Sequence, residues 1–152
     1  EPGVTTLGDG AFYSLENAAS LSLPDGLIGI GDYAICACGK LEEIRIPESV
    51  TTIGYHGISN CHSLKSIYVP AAVTHMDDSN FVVCGALPAI VVDSNNPNYT
   101  SVDGLLYNKG VTELIRCPGG FSGSRPRRAA PLPSGRRRRP PYRPGRRFPR
   151  IR

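Results

Sequence analysis

The sequence lacks the short motifs that carry most enzymatic chemistry. It contains no Gly-x-Ser-x-Gly nucleophile turn, no His-Glu-x-x-His zinc motif and no glycine-rich phosphate-binding loop. It also lacks any hydrophobic run that approaches the ~20 residues needed for a membrane-spanning helix. We therefore predict that the protein is not an enzyme, that it binds no cofactor, and that this sequence contains no membrane span.

Metal-binding spacings are missing too, although the chain has five cysteines and three histidines. Cys36 and Cys38 are separated by one residue, whereas zinc and thioredoxin-type motifs separate their cysteines by two. The histidines occupy different positions of the repeat described below, so they cannot form a repeated ligand set: His56, His62 and His75. We predict no metal site.

What the sequence does contain is a repeat of 23 residues, marked by Pro24, Pro47 and Pro70. A fixed period of 20 to 29 residues with recurring aliphatic side chains is typical of a solenoid, in which each unit buries its apolar face only against its neighbours. Six apolar columns keep the same phase: Val4/Leu27/Val50/Val73, Leu7/Ile30/Ile53/Met76, Phe12/Ile35/Ile58/Phe81, Leu15/Cys38/Cys61/Cys84, Leu21/Ile44/Ile67/Ile90 and Leu23/Ile46/Val69/Val92.

The spacing inside one unit predicts short parallel strands joined by turns. Residues 41–46 end in the apolar–polar alternation of a half-buried strand, and Pro47 ends the strand because proline cannot donate a hydrogen bond to a ladder. We expect the rest of each unit to form turns or short 3-10 pieces on the outer face.

The cysteine column predicts buried thiols rather than disulfides. Side chains that stack in register on parallel strands point the same way, which keeps their β-carbons too far apart for a disulfide. Cys38, Cys61 and Cys84 are therefore interpreted as small apolar core residues. We expect Cys36 and Cys117 to be partly accessible.

These residues match the pattern of a known repeat class. The segment Leu41-x-x-Ile44-x-Ile46-Pro47-x-x-Val50-x-x-Ile53-Gly54, preceded by Ala34-Ile35-x-x-Cys38, resembles the BspA-like leucine-rich repeat. The resemblance covers about residues 4–118, with departures such as Ile35 and Ile58 where that class has phenylalanine. It implies a leucine-rich repeat solenoid in a secreted or surface-displayed protein, and hence an extracellular or cell-surface location. It also implies adhesion to other cells or to a host matrix protein.

We divide the chain into three parts. Residues 1–92 are predicted to form four 23-residue repeats, and residues 93–120 a β-hairpin insertion. The insertion begins where Asp93 takes the place of the expected proline, and Asp103-Gly104 and Asn108-Lys109-Gly110 are hairpin turn signals. Glu1 also stands in the proline column, so we expect the sequence to be a fragment of a longer array.

Residues 121–152 form an arginine- and proline-rich tail. They hold 12 arginines and no acidic residue, whereas residues 1–120 carry 5 basic and 13 acidic residues. Such a composition predicts disorder. Two hypotheses remain open for it: a native segment that binds nucleic acids or other polyanions, or the product of a shifted reading frame in a G+C-rich gene. A nucleic acid is expected as a partner only if the tail is native.

The sheet that repeats along the array is the predicted binding surface. Residues that flank the second aliphatic residue of each strand point away from the core. From these we select Glu43, Arg45, Ser66, Tyr68 and Val91 as the candidate partner-binding residues, since tyrosine and arginine dominate interface hot spots. The predicted function is a non-catalytic protein-interaction or adhesion module. The alternatives are a structural spacer and polyanion binding through the tail.

Overall fold

The computed structural model describes residues 3–123, which form a β-solenoid with four stacked turns and a terminal antiparallel sheet. No helix is assigned in this range. The strands, in chain order, are β1 Thr6–Leu7, β2 Ser20–Leu21, β3 Gly29–Ile30, β4 Ile35–Cys36, β5 Glu43–Ile44, β6 Thr52–Ile53, β7 Ile58–Ser59, β8 Tyr68–Val69, β9 His75–Met76, β10 Val91–Val92, β11 Tyr99–Val102, β12 Leu105–Asn108 and β13 Leu114–Arg116.

Successive turns pair through parallel ladders whose register equals the sequence period. The first ladder, which we call the strand face, contains the pairs β2–β5 and β8–β10, and an isolated bridge from Glu43 to Ser66 continues it between them. A second ladder runs in the order β1-β3-β6-β9, and a third pairs β4 with β7. All of these pairs join residues 23 apart, for example Leu21 with Ile44. The predicted leucine-rich repeat solenoid is confirmed.

The second and third ladders are a finding that the repeat spacing did not predict. Turns join the ladders on the outer face, and no 3-10 piece is assigned within residues 3–123. Gly29 pairs with Thr6 on one side and with Thr52 on the other. The paired strands are only two residues long, so the alternation of an exposed Thr6 or Thr52 with a buried neighbour is too short to indicate a strand in the sequence.

The apolar columns fill the space enclosed by the ladders. Leu27, Val50 and Val73 are all fully buried. Each such side chain contributes about 1.5–3 kcal/mol relative to an exposed position. In the first turn Leu21 is only half-buried and Val4 is exposed, because the described residues stack on them from one side.

The cysteine column lies inside this core as free thiols. Cys38, Cys61 and Cys84 have no solvent exposure and form no disulfide. The Cys61 Sγ donates to the Ser59 carbonyl oxygen at 3.3 Å, and the Cys38 Sγ contacts the Phe12 carbonyl oxygen of the preceding turn at 3.2 Å. The column was therefore correctly predicted as structural.

The expected accessibility of Cys36 is wrong, whereas Cys117 is exposed as expected. Cys36 is only 3% exposed. It lies in β4, where it pairs with Ser59 of β7, and its Sγ accepts a hydrogen bond from the Ser59 hydroxyl at 3.3 Å. The third ladder, which the sequence did not predict, is what covers this thiol.

The stacking register continues past β10. Asp93 makes the same turn as the proline it replaces: Asn96 N donates to the Asp93 carbonyl at 3.0 Å, as Val73 N donates to the Pro70 carbonyl at 3.3 Å. Asn96 is fully buried, and its amide nitrogen donates to the Pro70 and Val73 carbonyls at 2.8 and 2.9 Å. The Asn96 side chain thus satisfies two backbone acceptors of the preceding turn.

A tyrosine hydroxyl closes the edge of the second ladder. Tyr99 follows Met76 by one period, and its Oη accepts from Met76 N at 2.9 Å and donates to Met76 O at 3.3 Å. Met76 belongs to β9, the last strand of that ladder. Because the phenol bonds both backbone groups of Met76, β9 has no free N–H or carbonyl at this residue for another strand to pair with.

The segment after Tyr99 forms the three-stranded antiparallel sheet β11-β12-β13. Asp103 and Gly104 make the turn between β11 and β12, both with positive φ angles (52° and 80°). Leu105 and Leu106 are buried. The boundary at residue 92 stays a prediction, and apart from residues 121–123 the predicted disorder of the tail concerns residues outside the described range.

Asn96→Ala should lower the free energy of unfolding by about 3 kcal/mol, since it leaves several buried backbone groups without partners. The Asn96 carboxamide oxygen also accepts from Asn98 N and Tyr99 N at 3.0 and 2.8 Å. Urea denaturation measures the change. The matched control is Asn95→Ala, because Asn95 is exposed and its backbone N–H, which donates to the Asp93 carboxylate at 2.7 Å, is kept in the variant, so the change should be far smaller. Equal destabilisation of both variants would contradict the assignment.

Candidate interaction surface

The strand face presents a row of outward-pointing side chains across the four turns. Glu43, Arg45 and Ser66 are exposed, Tyr68 is 39% exposed and Val91 is 50% exposed. Between them lie buried aliphatic residues such as Ile44 and Ile67. The alternation arises because successive side chains of a strand point to opposite sides. All five predicted binding residues therefore lie on one outward surface.

Three of the five predicted residues line a groove of about 390 Å³ on this face. The groove forms because Ser20, Ser22 and Ser66 have short side chains beside the longer Glu43 and Arg45. Tyr68 and Val91 do not line it. Its walls are Ser20, Leu21, Ser22, Leu23, Asp25, Glu43, Ile44, Arg45, Pro47 and Ser66.

Within residues 3–123, the Glu43 and Arg45 side chains of the groove have no intramolecular partner. The only ion pair within residues 3–123 joins the Lys65 Nζ to a Glu42 carboxylate oxygen at 2.5 Å, on the exposed surface. In the same range neither Glu43 nor Arg45 has a side-chain hydrogen bond. A carboxylate and a guanidinium are thus both available in one depression, together with serine hydroxyls.

Tyr68 is held in place by the residue that replaces the fourth proline. Its hydroxyl donates a hydrogen bond to the Asp93 carboxylate, 25 residues away. This bond, with smaller effects from burial and from nearby carboxylates, raises the pKa of Tyr68 to about 12. The same bond, together with one from the Asn95 N–H, lowers the pKa of Asp93. Sequence reasoning identified Asp93 as the break in the proline column but missed its contact with Tyr68.

The antiparallel sheet covers the far end of the strand face. Ile90 N donates to the Gly104 carbonyl at 2.9 Å, and Val92 N donates to the Ser101 hydroxyl at 3.2 Å. A side chain at Gly104 would lie 2.8 Å from the Ala89 β-carbon. Ala89, which occupies an outward position, is therefore only half-exposed. The accessible strand face runs from the first turn to Val91.

The histidines and acidic residues do not gather into a metal centre in the described part of the chain. No group of three histidine, cysteine, aspartate or glutamate side chains is placed to hold an ion within residues 3–123. His56 instead stacks on Tyr33, with ring centroids 5.4 Å apart. Within the same range no helix has the length and hydrophobicity to cross a membrane.

Comparison with known sequences identifies the repeat. The profile of the BspA type leucine-rich repeat region matches residues 1–104 in six copies. The chain belongs to this family. No curated protein matches the sequence. Leucine-rich repeat domains are typically non-catalytic scaffolds that mediate protein interactions, since stacked repeats build extended binding surfaces.

Solved structures share the fold. A leucine-rich cell surface protein from Faecalibacterium prausnitzii matches with a TM-score of 0.69 and 28% identity over 76% of this chain and 31% of that one. A leucine-rich repeat protein from Eubacterium ventriosum matches with a TM-score of 0.63 and 26% identity over 81% of this chain and 38% of that one. The pneumococcal vaccine antigen PcpA, at 24% identity and a TM-score of 0.65, shares the fold. The BspA-type chain described here thus spans well under half the length of these three structures.

Tyr68→Phe should raise the pKa of the Asp93 carboxyl towards its ordinary value, because the hydrogen bond that favours the carboxylate is lost. Because folding lowers the pKa of Asp93, the bond stabilises the fold at neutral pH. This stabilisation is lost as the pH falls through the folded-state pKa of Asp93. An NMR titration of the Asp93 side-chain carbon in both proteins measures the shift. Identical titration curves would contradict the contact.

Proposed function

We propose that this BspA-type repeat region is a non-catalytic interaction module that binds a protein ligand through the strand face. Glu43, Arg45, Ser66, Tyr68 and Val91 are the proposed contact residues. The observation that carries the proposal is the groove, in which the Glu43 carboxylate and the Arg45 guanidinium, both unpaired within residues 3–123, lie among serine hydroxyls. Tyr68 stands beyond the groove on the next turn from Arg45.

The residue types on this face suit protein recognition. Arginine and tyrosine are enriched among the residues that dominate binding energy, because each combines a large contact area with directed hydrogen bonds. The hydrogen bond to Asp93 restrains the Tyr68 ring before any partner arrives, so less side-chain entropy is lost on binding. Arg45 supplies donors that suit a carboxylate of the partner.

We extend the proposal to an extracellular or cell-surface location and to adhesion. The support is family membership together with the similarity to the leucine-rich cell surface protein of F. prausnitzii. For this chain the proposed ligand is a surface protein or a host matrix protein.

The double variant Arg45→Ala, Tyr68→Ala should bind a matrix protein at least about tenfold more weakly than the unmodified chain. Its melting temperature should fall only slightly, since both side chains are exposed and the one intramolecular bond lost within residues 3–123 is the exposed contact of Tyr68 with Asp93. Surface plasmon resonance with immobilised collagen, laminin and fibronectin measures affinity, and calorimetry measures stability.

The control for this experiment replaces one aromatic and one cationic side chain elsewhere on the surface. Tyr13 is 58% exposed, and Lys40 contacts only Asn17 through its amine. The variant Tyr13→Ala, Lys40→Ala should bind like the unmodified chain. If the strand-face variant keeps full affinity, the assignment of the binding surface is wrong. If the unmodified chain binds none of the three proteins, the result favours the alternative function as a structural spacer.

Polyanion binding through residues 121–152 predicts a different result. Neutralising 12 arginines should then abolish binding to heparin, and affinity should fall steeply between 50 and 200 mM salt. The Arg45, Tyr68 double variant should behave normally in that assay, because the strand face would take no part. The two functions are therefore separated by which set of substitutions removes binding.

A further inference from the structure

A second exposed surface lies at one corner of the solenoid, away from the strand face. It is formed by the three residues that follow each strand of the second ladder: residues 8–10, 31–33, 54–56 and 77–79. We call this set the corner strip. Its sequence changes from Gly-Asp-Gly through Gly-Asp-Tyr and Gly-Tyr-His to Asp-Asp-Ser. Stacked turns therefore place aromatic rings in the second and third turns and carboxylates in the first, second and fourth turns.

The corner strip is held in register by side chains as well as by the backbone. The Asp9 carboxylate accepts from Asp32 N at 2.9 Å, and the Asp32 carboxylate accepts from Tyr55 N at 2.7 Å. Gly31 allows this stacking, because a β-carbon there would lie 2.8 Å from the Leu7 carbonyl oxygen and 2.6 Å from Asp9. The carboxylates consequently sit in fixed positions beside the rings of the next turn.

Three rings form an exposed cluster in the strip. Tyr33 and Tyr55 are 41% and 45% exposed, and their rings meet edge to face with centroids 5.4 Å apart. His56 stacks on Tyr33 and meets Tyr55 edge to face at 4.4 Å. Exposed tyrosine faces attract cations, and Asp32 adds a negative charge next to both tyrosines.

Two of these rings are placed at a backbone cost. Tyr33 and His56 have φ angles of 54° and 50°, a left-handed conformation that is unfavourable for a residue with a β-carbon. The equivalent position of the first turn is Gly10, with φ of 65°. Glycine at these two positions would remove the strain in the second and third turns. The backbone conformation therefore does not explain why Tyr33 and His56 stand there.

One guanidinium of the chain already lies on this strip. Arg116 reaches from β13 to the fourth turn, where its Nη2 donates to the Asp78 carbonyl oxygen. The other basic side chains of residues 3–123 lie elsewhere: Lys40 contacts Asn17, Lys65 contacts Glu42, Lys109 contacts the Ser94 carbonyl, and Arg45 lines the strand-face groove. In the described part of the chain, the aromatic part of the strip therefore carries the Asp32 carboxylate without a lysine or arginine beside it.

We propose that Tyr33, Tyr55 and Asp32 form a docking site for an arginine side chain of a second protein. The guanidinium lies over an exposed tyrosine face and donates to the Asp32 carboxylate. Arginine fits better than lysine, because its planar guanidinium both stacks on aromatic rings and pairs with a carboxylate. The site is independent of the proposed ligand of the strand face.

The test uses the full chain and a fluorescein-labelled peptide of alternating arginine and glycine in 150 mM salt, read by fluorescence anisotropy. The matched peptide replaces each arginine by citrulline, which keeps the shape but removes the charge. We expect the arginine peptide to bind at least about tenfold more tightly than the citrulline peptide. No binding, or equal binding of the two peptides, would overturn the proposal.

Two variants separate ring contacts from simple charge attraction. Tyr55→Asp introduces the residue that the other turns carry at this position, so it removes a ring while adding a carboxylate. Tyr33→Gly introduces the residue of the first turn and removes the strain that a β-carbon causes at this positive φ angle. Each should weaken arginine-peptide binding two- to fivefold, and the pair roughly tenfold. Tighter binding by Tyr55→Asp would show that charge alone acts and would refute the role of the rings.

Two further variants identify the surface and the occupant. Tyr68→Ser removes the ring of the strand face and should leave the affinity for the arginine peptide unchanged. If Tyr68→Ser instead weakens binding as much as Tyr33→Gly does, the peptide binds the strand face and the proposal is wrong. Replacing all 12 arginines of residues 121–152 by glutamine should also leave the affinity unchanged. If the peptide binds only after that replacement, the chain's own tail is the occupant and the assignment to a second protein is wrong.

Discussion

The in-register pairing of one turn's backbone with the next is the constraint on which the rest of this structure depends. All of the parallel ladders pair residues 23 apart, and one turn of the chain supplies a strand to each ladder, as the second turn does with β3, β4 and β5. A change in the length of one turn would therefore shift several ladders at once. The fixed length also brings equivalent side chains into columns, since adjacent strands lie ~4.8 Å apart. Buried columns, thiol stacking and both exposed surfaces follow from this spacing.

The end of the paired strands shows how side chains can replace backbone pairing. Asn96 and Tyr99 stand one period after Val73 and Met76, and they supply through an amide and a phenol the hydrogen bonds that the backbone needs. The antiparallel sheet then packs onto the last strand through Ile90, Val92 and Gly104. The Tyr99 hydroxyl thus covers the edge of the second ladder at Met76, where no further parallel strand follows within residues 3–123.

The two candidate surfaces arise from the same principle and differ in chemistry. On the strand face, small serines beside Glu43 and Arg45 leave a polar groove. At the corner strip, tyrosine and histidine replace glycine and aspartate in the middle turns, and the rings cluster because equivalent positions are neighbours in space. A solenoid can vary such outward positions independently, since they contribute little to the core that holds the turns together.

The period of the repeat determined by itself which residues are buried and which face outward, because burial recurs with the turn length. The solenoid, the buried cysteine column and the exposure of the five candidate residues were all predictable in this way. The tertiary structure decided what recurrence does not encode: the ladder that buries Cys36, the groove beside Arg45, the contact between Tyr68 and Asp93, and the ring cluster of the corner strip. The ladder depends on backbone pairing between β4 and β7. The other three features depend on the length, rotamer and hydrogen-bonding groups of non-repeating side chains on neighbouring turns. A periodic pattern describes which positions become neighbours, and only the folded chain shows how two different side chains meet there.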